Sequence, residues 1–168
     1  MTAPDPTIER IVSGGQTGAD RAALDFAREA GIPTGGWVPK GRLAEDGRIP
    51  ERYAGMVETE SADFAVRTAR NVRDSDATLI LSHGPLDGGS LFTWREATRI
   101  GRPVLHLDLD RLDLPAAADR LRTWLAAVHP ATLNVAGPRA SRDPGIAAAT
   151  GAVLRSAILA RHPSGSPL

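Results

Sequence analysis

The segment Ser13-Gly14-Gly15-Gln16-Thr17-Gly18-Ala19-Asp20 combines three glycines with hydroxyl, amide and carboxylate side chains directly before a helical pattern. Glycine lets the main chain turn sharply and approach a ligand closely, and the first amides of a helix carry partial positive charge. Phosphate or another oxyanion is the guest such a loop suits. A second glycine loop, from Gly84 to Ser90, repeats the arrangement with Gly88, Gly89 and Ser90, followed by Thr93. A third, from Asn134 to Ser141, supplies Gly137 and Arg139, and a fourth, from Pro39 to Asp46, supplies Lys40 and Arg42. In the stretch before Asp74, Arg67, Thr68 and Asn71 share one face of a helix at three- and four-residue spacing.

Each signal also has a plainer reading. Thr17 with Asp20 fits a helix-capping pair as well as a ligand contact. Lys40 and Arg42 fit solvated surface groups as well as anion contacts, and Arg70 and Arg73 read as a solvated helix end. Gly14, Gly15 and Gly18 miss the GxGxxG spacing, and no Lys-Ser/Thr ending follows them, which disfavours a simple dehydrogenase or a P-loop hydrolase. His83, His106, His129 and His162 show no zinc-binding spacing, and of these His83 stands on a candidate loop. Trp94 and Trp124 fit a core, whereas Trp37 fits the wall of a pocket. Glu96 fits a general acid or base and equally a helix-surface carboxylate. No catalytic residue and no metal ligand is assigned.

Such loops need a scaffold that delivers them to one edge. Short strand-like runs alternate with longer helical stretches, the pattern of βαβ units. The first strand is predicted from about Ile8 to Ser13, then a helix from near Gly18 to Ala30, where Ala19, Ala23, Phe26 and Ala27 recur at helical spacing and Gly31 and Pro33 end it. An extended piece, about Thr34 to Val38, leads into a polar stretch through Tyr53 with no clear period, read as a binding loop. A helix follows from about Ser61 to Val72, the strand Ala77 to Ser82, a helix from Ser90 to Ile100, a strand from Pro103 to Asp108, a helix from Pro115 to Val128 and a strand from Ala131 to Ala136. The last helix is expected to start at a cap on Asp143, with Pro144 in its first turn, and to run to about Ala160.

This pattern predicts an α/β fold: a Rossmann-like, doubly wound, mainly parallel sheet of five or more strands with helices on both faces. Residues 8–161 form one ligand-binding domain, and residues 1–7 and 162–168 are expected to be flexible termini. Loops that follow the strands of an open parallel sheet share the edge where ligands bind. The first strand is expected inside the sheet, beside the Ala77 to Ser82 strand, so that the two Gly-Gly loops meet.

A chain of 168 residues suffices for one sizeable core. Twenty basic residues balance twenty acidic ones, so no global field gathers nucleic acid or an anionic membrane, and any anion must be held locally. With no cysteine there is no disulfide, thiolate site or cysteine nucleophile. No signal-like or membrane-spanning run is visible, which makes the cytoplasm the default expectation. Apolar faces at Leu121, Trp124 and Leu125 and along Ile146 to Leu159 suggest a homo-oligomer.

The motifs Ser13 to Asp25, Pro39-Lys40-Gly41-Arg42 with Ala44-Glu45-Asp46-Gly47, Arg67-Thr68 with Asn71-Val72, Asp74-Ser75-Asp76, Gly88-Gly89-Ser90 with Thr93, and Leu133-Asn134-Val135-Ala136-Gly137-Pro138-Arg139 are similar to those of the molybdenum (cofactor) carrier protein family. They follow in the same order, and the resemblance spans roughly Ile8 to Leu159. That family is similar in fold to the Rossmann-like nucleotide-sensing and phosphoribohydrolase-like superfamily.

The resemblance implies a protein that holds the molybdenum cofactor (a pterin phosphate bearing an oxo-metal group), molybdate or a related phosphorylated molecule, with a nucleotide as a further class. The positions carried over are Gly14, Gly15, Gln16, Thr17, Gly18, Asp20, Lys40, Arg42, Arg67, Thr68, Asn71, Gly88, Gly89, Ser90, Thr93, Gly137 and Arg139. Ser90 stands where threonine is expected in most relatives, and the hydroxyl is kept. Self-association as a homodimer or homotetramer is implied, the tetramer by resemblance alone.

Three functions compete: a carrier without turnover, an N-glycosidic hydrolase of nucleotides using Glu96 and Arg95, and a nucleotide sensor. The Asp87-Gly88-Gly89-Ser90 sequence departs from the Pro-Gly-Gly-x-Gly-Thr form of the phosphoribohydrolases, which favours the carrier. The anion is expected at the N-terminus of the first helix, on amides between Gly15 and Ala19, faced by the Gly88 to Ser90 loop.

Overall fold

A computed structural model describes residues 8–159. The elements in chain order are β1 (Arg10–Val12), α1 (Ala19–Ala30), β2 (Thr34–Val38), β3 (Leu43–Ala44), β4 (Gly47–Arg48), β5 (Met56–Glu58), α2 (Phe64–Arg73), β6 (Ala77–Ser82), α3 (Gly88–Ile100), β7 (Val104–Asp108), α4 (Leu114–Val128), β8 (Thr132–Ala136) and α5 (Ile146–Ile158). The expectations for residues 1–7 and 162–168 lie outside the described residues.

Six strands form one sheet in the order β5-β2-β1-β8-β6-β7, and every neighbouring pair is parallel. The α/β Rossmann-like class is as expected, and β1 is internal. Its neighbour is not β6: the last strand, β8, lies between them, pairing Ile11 with Leu133 on one side and Leu79 with Val135 on the other. The two glycine loops therefore face each other across the end of β8. Strand β6 is buried at every position, as befits a central parallel strand covered on both faces.

Helix α1 forms because Ala19, Ala23, Leu24, Phe26 and Ala27 make one buried stripe, and Gly31 ends it in a left-handed conformation, its N–H donating to Arg28 O. Helices α1, α5 and α4 pack in a row, and α2 packs on α3. Leu121, Leu125, Ile146 and Leu154 are buried in this monomer core. The apolar faces offered above as a reason for self-association are thus consumed within the chain. Among the described residues, the large apolar side chains left exposed are Leu43, Val57, Ile100 and Leu114.

Two further expectations change. The polar stretch after Val38 is a built subdomain: β3 and β4 form a small antiparallel hairpin, and Ala44, Ile49 and Tyr53 join Leu24 and Val38 in a second apolar cluster. Its apolar residues are too widely spaced to show a period. Helix α5 starts at Ile146, because the Asp143 carboxylate is shared between Gly145 N at 3.2 Å and His83 Nδ1 at 2.6 Å. Among the described residues, no helix is long and apolar enough to cross a membrane.

Candidate functional site

A cavity of about 290 Å³ opens at the C-terminal ends of β1 and β8 and against the first turn of α3. Its wall contains Gly14, Gln16 and Asp20 from the first loop, Arg67, Thr68 and Asn71 from α2, Gly88, Gly89, Ser90 and Thr93 from α3, and Gly137 and Arg139 beyond β8. The fold thus gathers onto one wall residues that lie far apart in the chain. Phe64, Phe92, Asn134 and Arg142 also line it. Phe64 and Phe92 had no signal as ligand groups in the sequence, because an aromatic side chain near the start of a helix reads equally as core, whereas Asn134 opened the third candidate loop.

Gly15, Thr17, Gly18, Lys40 and Arg42 do not reach the cavity wall. Arg42 is buried, donating from Nε to Ile49 O at 3.2 Å and from Nη2 to Pro50 O at 3.0 Å, so it ties the hairpin down. Lys40 is exposed. Thr17 caps no helix: its hydroxyl bonds Glu45 Oε1 and accepts from Ala140 N at 3.1 Å. Trp37 stands outside the cavity, with its Nε1 donating to Asp74 Oδ2 at 2.9 Å and Arg70 stacked over the ring.

Four amides of the first loop are occupied, while those of Gly14, Gly18 and Asp20 meet no acceptor among the described residues. Gly15 N donates to Ser13 Oγ, Gln16 N to Asp20 Oδ2, Thr17 N to Gln16 Oε1 and Ala19 N to Pro138 O, at 3.1 to 3.3 Å. The chain's own acceptors therefore take four of the five amides between Gly15 and Ala19. At α3 none of the first three amides is occupied. Asp87 gives no side-chain cap, and among the described residues no acceptor takes the N–H of Gly88, Gly89 or Ser90. A helix start left open beside a cavity presents positive partial charge to whatever enters.

The side chains around it split into fixed and free groups. Asn71 is committed, receiving Trp37 N on Oδ1 at 2.7 Å and giving Nδ2 to Trp37 O at 2.9 Å. Thr93 donates to Gly89 O at 2.8 Å. Gln16 Nε2 and Arg67 Nε are sealed from solvent and lack a partner. Two buried donors without acceptors are costly unless something supplies the acceptor. Arg67 and Arg139 both stack on the Phe64 ring, at 5.2 and 5.5 Å from its centre.

Burial pushes the Asp20 carboxyl up to about 6, against the opposing pull of Arg67, the Gln16 amide, Arg21 and Arg139. Burial likewise lowers the Arg67 guanidinium, and Asp20 opposes that shift. The outer rim is tied by Glu45, which takes Ser141 Oγ at 2.5 Å and Ser141 N at 3.1 Å and is held below the usual carboxylate range chiefly by the Ser141 hydroxyl. Glu96 is absent from the cavity wall, and its carboxylate binds Arg99 at 2.8 and 3.2 Å. Among the described residues, no cluster of His, Asp or Glu is arranged to hold a metal ion.

A family model described as the circularly permutated YpsA SLOG family matches residues 11–158. The chain is also 53% identical to the crystal structure of a putative molybdenum carrier protein from Syntrophus aciditrophicus SB, covering 91% of this chain and 96% of that one with a TM-score of 0.89. None of the curated proteins matches.

Proposed function

Because this chain belongs to the circularly permutated YpsA SLOG family, we propose that it binds a phosphorylated or oxyanionic small molecule at the opening of α3 and serves as a carrier of molybdenum cofactor or molybdate. The observation that carries the binding site is the set of three unengaged amides, Gly88 to Ser90, facing a cavity that also holds Arg139 and the unpartnered Gln16 Nε2. The molybdenum part follows the name of the 53% identical relative. Residues that fit the group are the α3 amides for a phosphate or oxo-anion, Phe64 and Phe92 for a flat ring, and Gln16 and Asn134 for the ring's polar edge.

A carrier needs affinity and no general acid or base at a scissile bond. Glu96, the carboxylate a nucleotide hydrolase would use by analogy, points into an ion pair with Arg99. That supports the carrier over the hydrolase. The test is a Gly89→Asp variant. An added Cβ at Gly89 meets nothing within 4 Å, so the fold accepts it. A carboxylate in the first turn stabilises the helix by roughly 0.3–1 kcal/mol and occupies the anion's place. Thermal unfolding is expected to shift upward while calorimetric binding of molybdate and phosphate disappears. Metal analysis and mass spectrometry of the purified wild type are expected to find molybdenum or a pterin phosphate. Retained anion affinity in Gly89→Asp would remove α3 from the site.

A further inference from the structure

The geometry points to a two-armed ligand whose arms are joined through a diphosphate, one arm in each of two cavities that flank the opening of α3. It rests on the oxyanion site at Gly88 to Ser90 argued above. The second cavity, about 340 Å³, is walled by His83, Leu86, Asp143 and Pro144. Both cavities share Asp87, Ser90, Pro138 and Arg142. An anion on the first amides of α3 therefore borders both at once, and a simple phosphate monoester fills one and leaves the other vacant. The first cavity alone sits at the bottom of the roughly 300–1,000 Å³ range of small-molecule pockets, and the pair together falls well inside it.

The chemistry of the two walls differs. The first offers Phe64 and Phe92 with the polar edges of Asn134 and Gln16, which suits a flat heterocycle. The second offers His83, held by Asp143 at 2.6 Å, beside Leu86 and Pro144, which suits a sugar or a second ring. Across the boundary runs the pair Arg142 Nη1 to Asp87 Oδ1 at 3.5 Å, with both side chains more than half exposed. So loose a surface pair releases Arg142 readily to a stronger anion. With Arg139 on the first wall, two guanidiniums then match the two negative charges of a diphosphate.

Calorimetry on the full chain with three probes tests this: inorganic phosphate, guanosine monophosphate, and two guanosines joined 5′ to 5′ through a diphosphate. The two-armed probe is expected to bind at least about tenfold tighter than the monophosphate. Leu86→Trp, which fills the second cavity, is expected to erase that advantage and leave monophosphate affinity unchanged. Pro144→Trp, at an exposed position on the opposite wall, repeats the test should Leu86→Trp fail to fold. Equal affinity for the two nucleotides in wild type overturns the inference while the oxyanion site stands, as does an advantage that survives both variants. No binding of any probe overturns the oxyanion site and this inference with it.

Discussion

The loop from Gly14 to Gly18 and the turn from Gly88 to Ser90 look alike in sequence and differ in what their amides do. In the first, four amides are spent on Ser13, Asp20, Gln16 and Pro138. In the second, three are left open to a cavity. Glycine serves a different need in each. Gly18 has φ +82°, and a Cβ there would stand 2.4 Å from Pro138 O, so glycine is required for the close approach of two main chains. Gly89 has no neighbour within 4 Å of such a Cβ, so its lack of a side chain adds to the open space beside the cavity. A Gly-Gly pair therefore marks either self-packing or an open helix start, and the acceptors nearby decide which.

The largest effect expected from breaking that contrast is at Gly18. Gly18→Ala combines a left-handed φ with a main-chain clash and should cost about 3 kcal/mol or more in urea unfolding, against the gain expected for Gly89→Asp. Gly15→Val, with φ +72° and Ile49 Cδ1 at 2.8 Å from the new Cβ, belongs with Gly18 and reports on folding before binding. If Gly18→Ala unfolds at the wild-type midpoint, the first loop is not self-packed as described.

Next in size is Asp20, the buried carboxylate of the first loop. Its carboxyl is raised from 3.8 to about 6, so the stability contributed by the protonated form is fully present below about pH 3.8 and is lost as pH rises through about 6. At 1.36 kcal/mol per unit the loss is on the order of 3 kcal/mol. Asp20→Asn keeps an acceptor for Gln16 N and removes this slope. Unfolding free energies of the two proteins should therefore diverge, in favour of the variant, between about pH 4 and 7. Parallel curves across that window would show that Asp20 does not titrate there.

The smallest effects separate the cations. Arg139, which lines the cavity and stacks on Phe64, should weaken phosphate binding by about 1–3 kcal/mol when changed to Ala. Lys40, exposed and away from the cavity wall, should change binding and stability by less than about 0.5 kcal/mol when changed to Ala. Equal losses in the two variants would mean that the anion is held by general field and not at α3.

Some of this was legible in the chain. The β6 strand, Ala77 to Ser82, is an unbroken run suited to burial on both faces, and its bounds were read without error. Arg67, Thr68 and Asn71 share a helix face by spacing alone, and all three line the cavity. The hairpin core of Ala44, Ile49 and Tyr53 was not legible, since two-residue strands leave no period to read. Nor was the role of Arg42, whose burial depends on the carbonyls of Ile49 and Pro50.

Local sequence determined the elements, because hydrophobic periodicity, glycine stops and capping residues act over a few residues and need no distant partner. It also determined that any anion would have to be held locally, since twenty positive and twenty negative residues leave no bulk charge to do it. Tertiary structure decided what the local acceptors Ser13, Gln16 and Asp20 leave unsettled. The placement of β8 between β1 and β6 brings Pro138 O onto the amide of Ala19 at the first helix start, and leaves the α3 start without an acceptor. Whether the Ala19 amide is spent or available depends on an acceptor about a hundred residues away in the chain, and no local pattern encodes that distance.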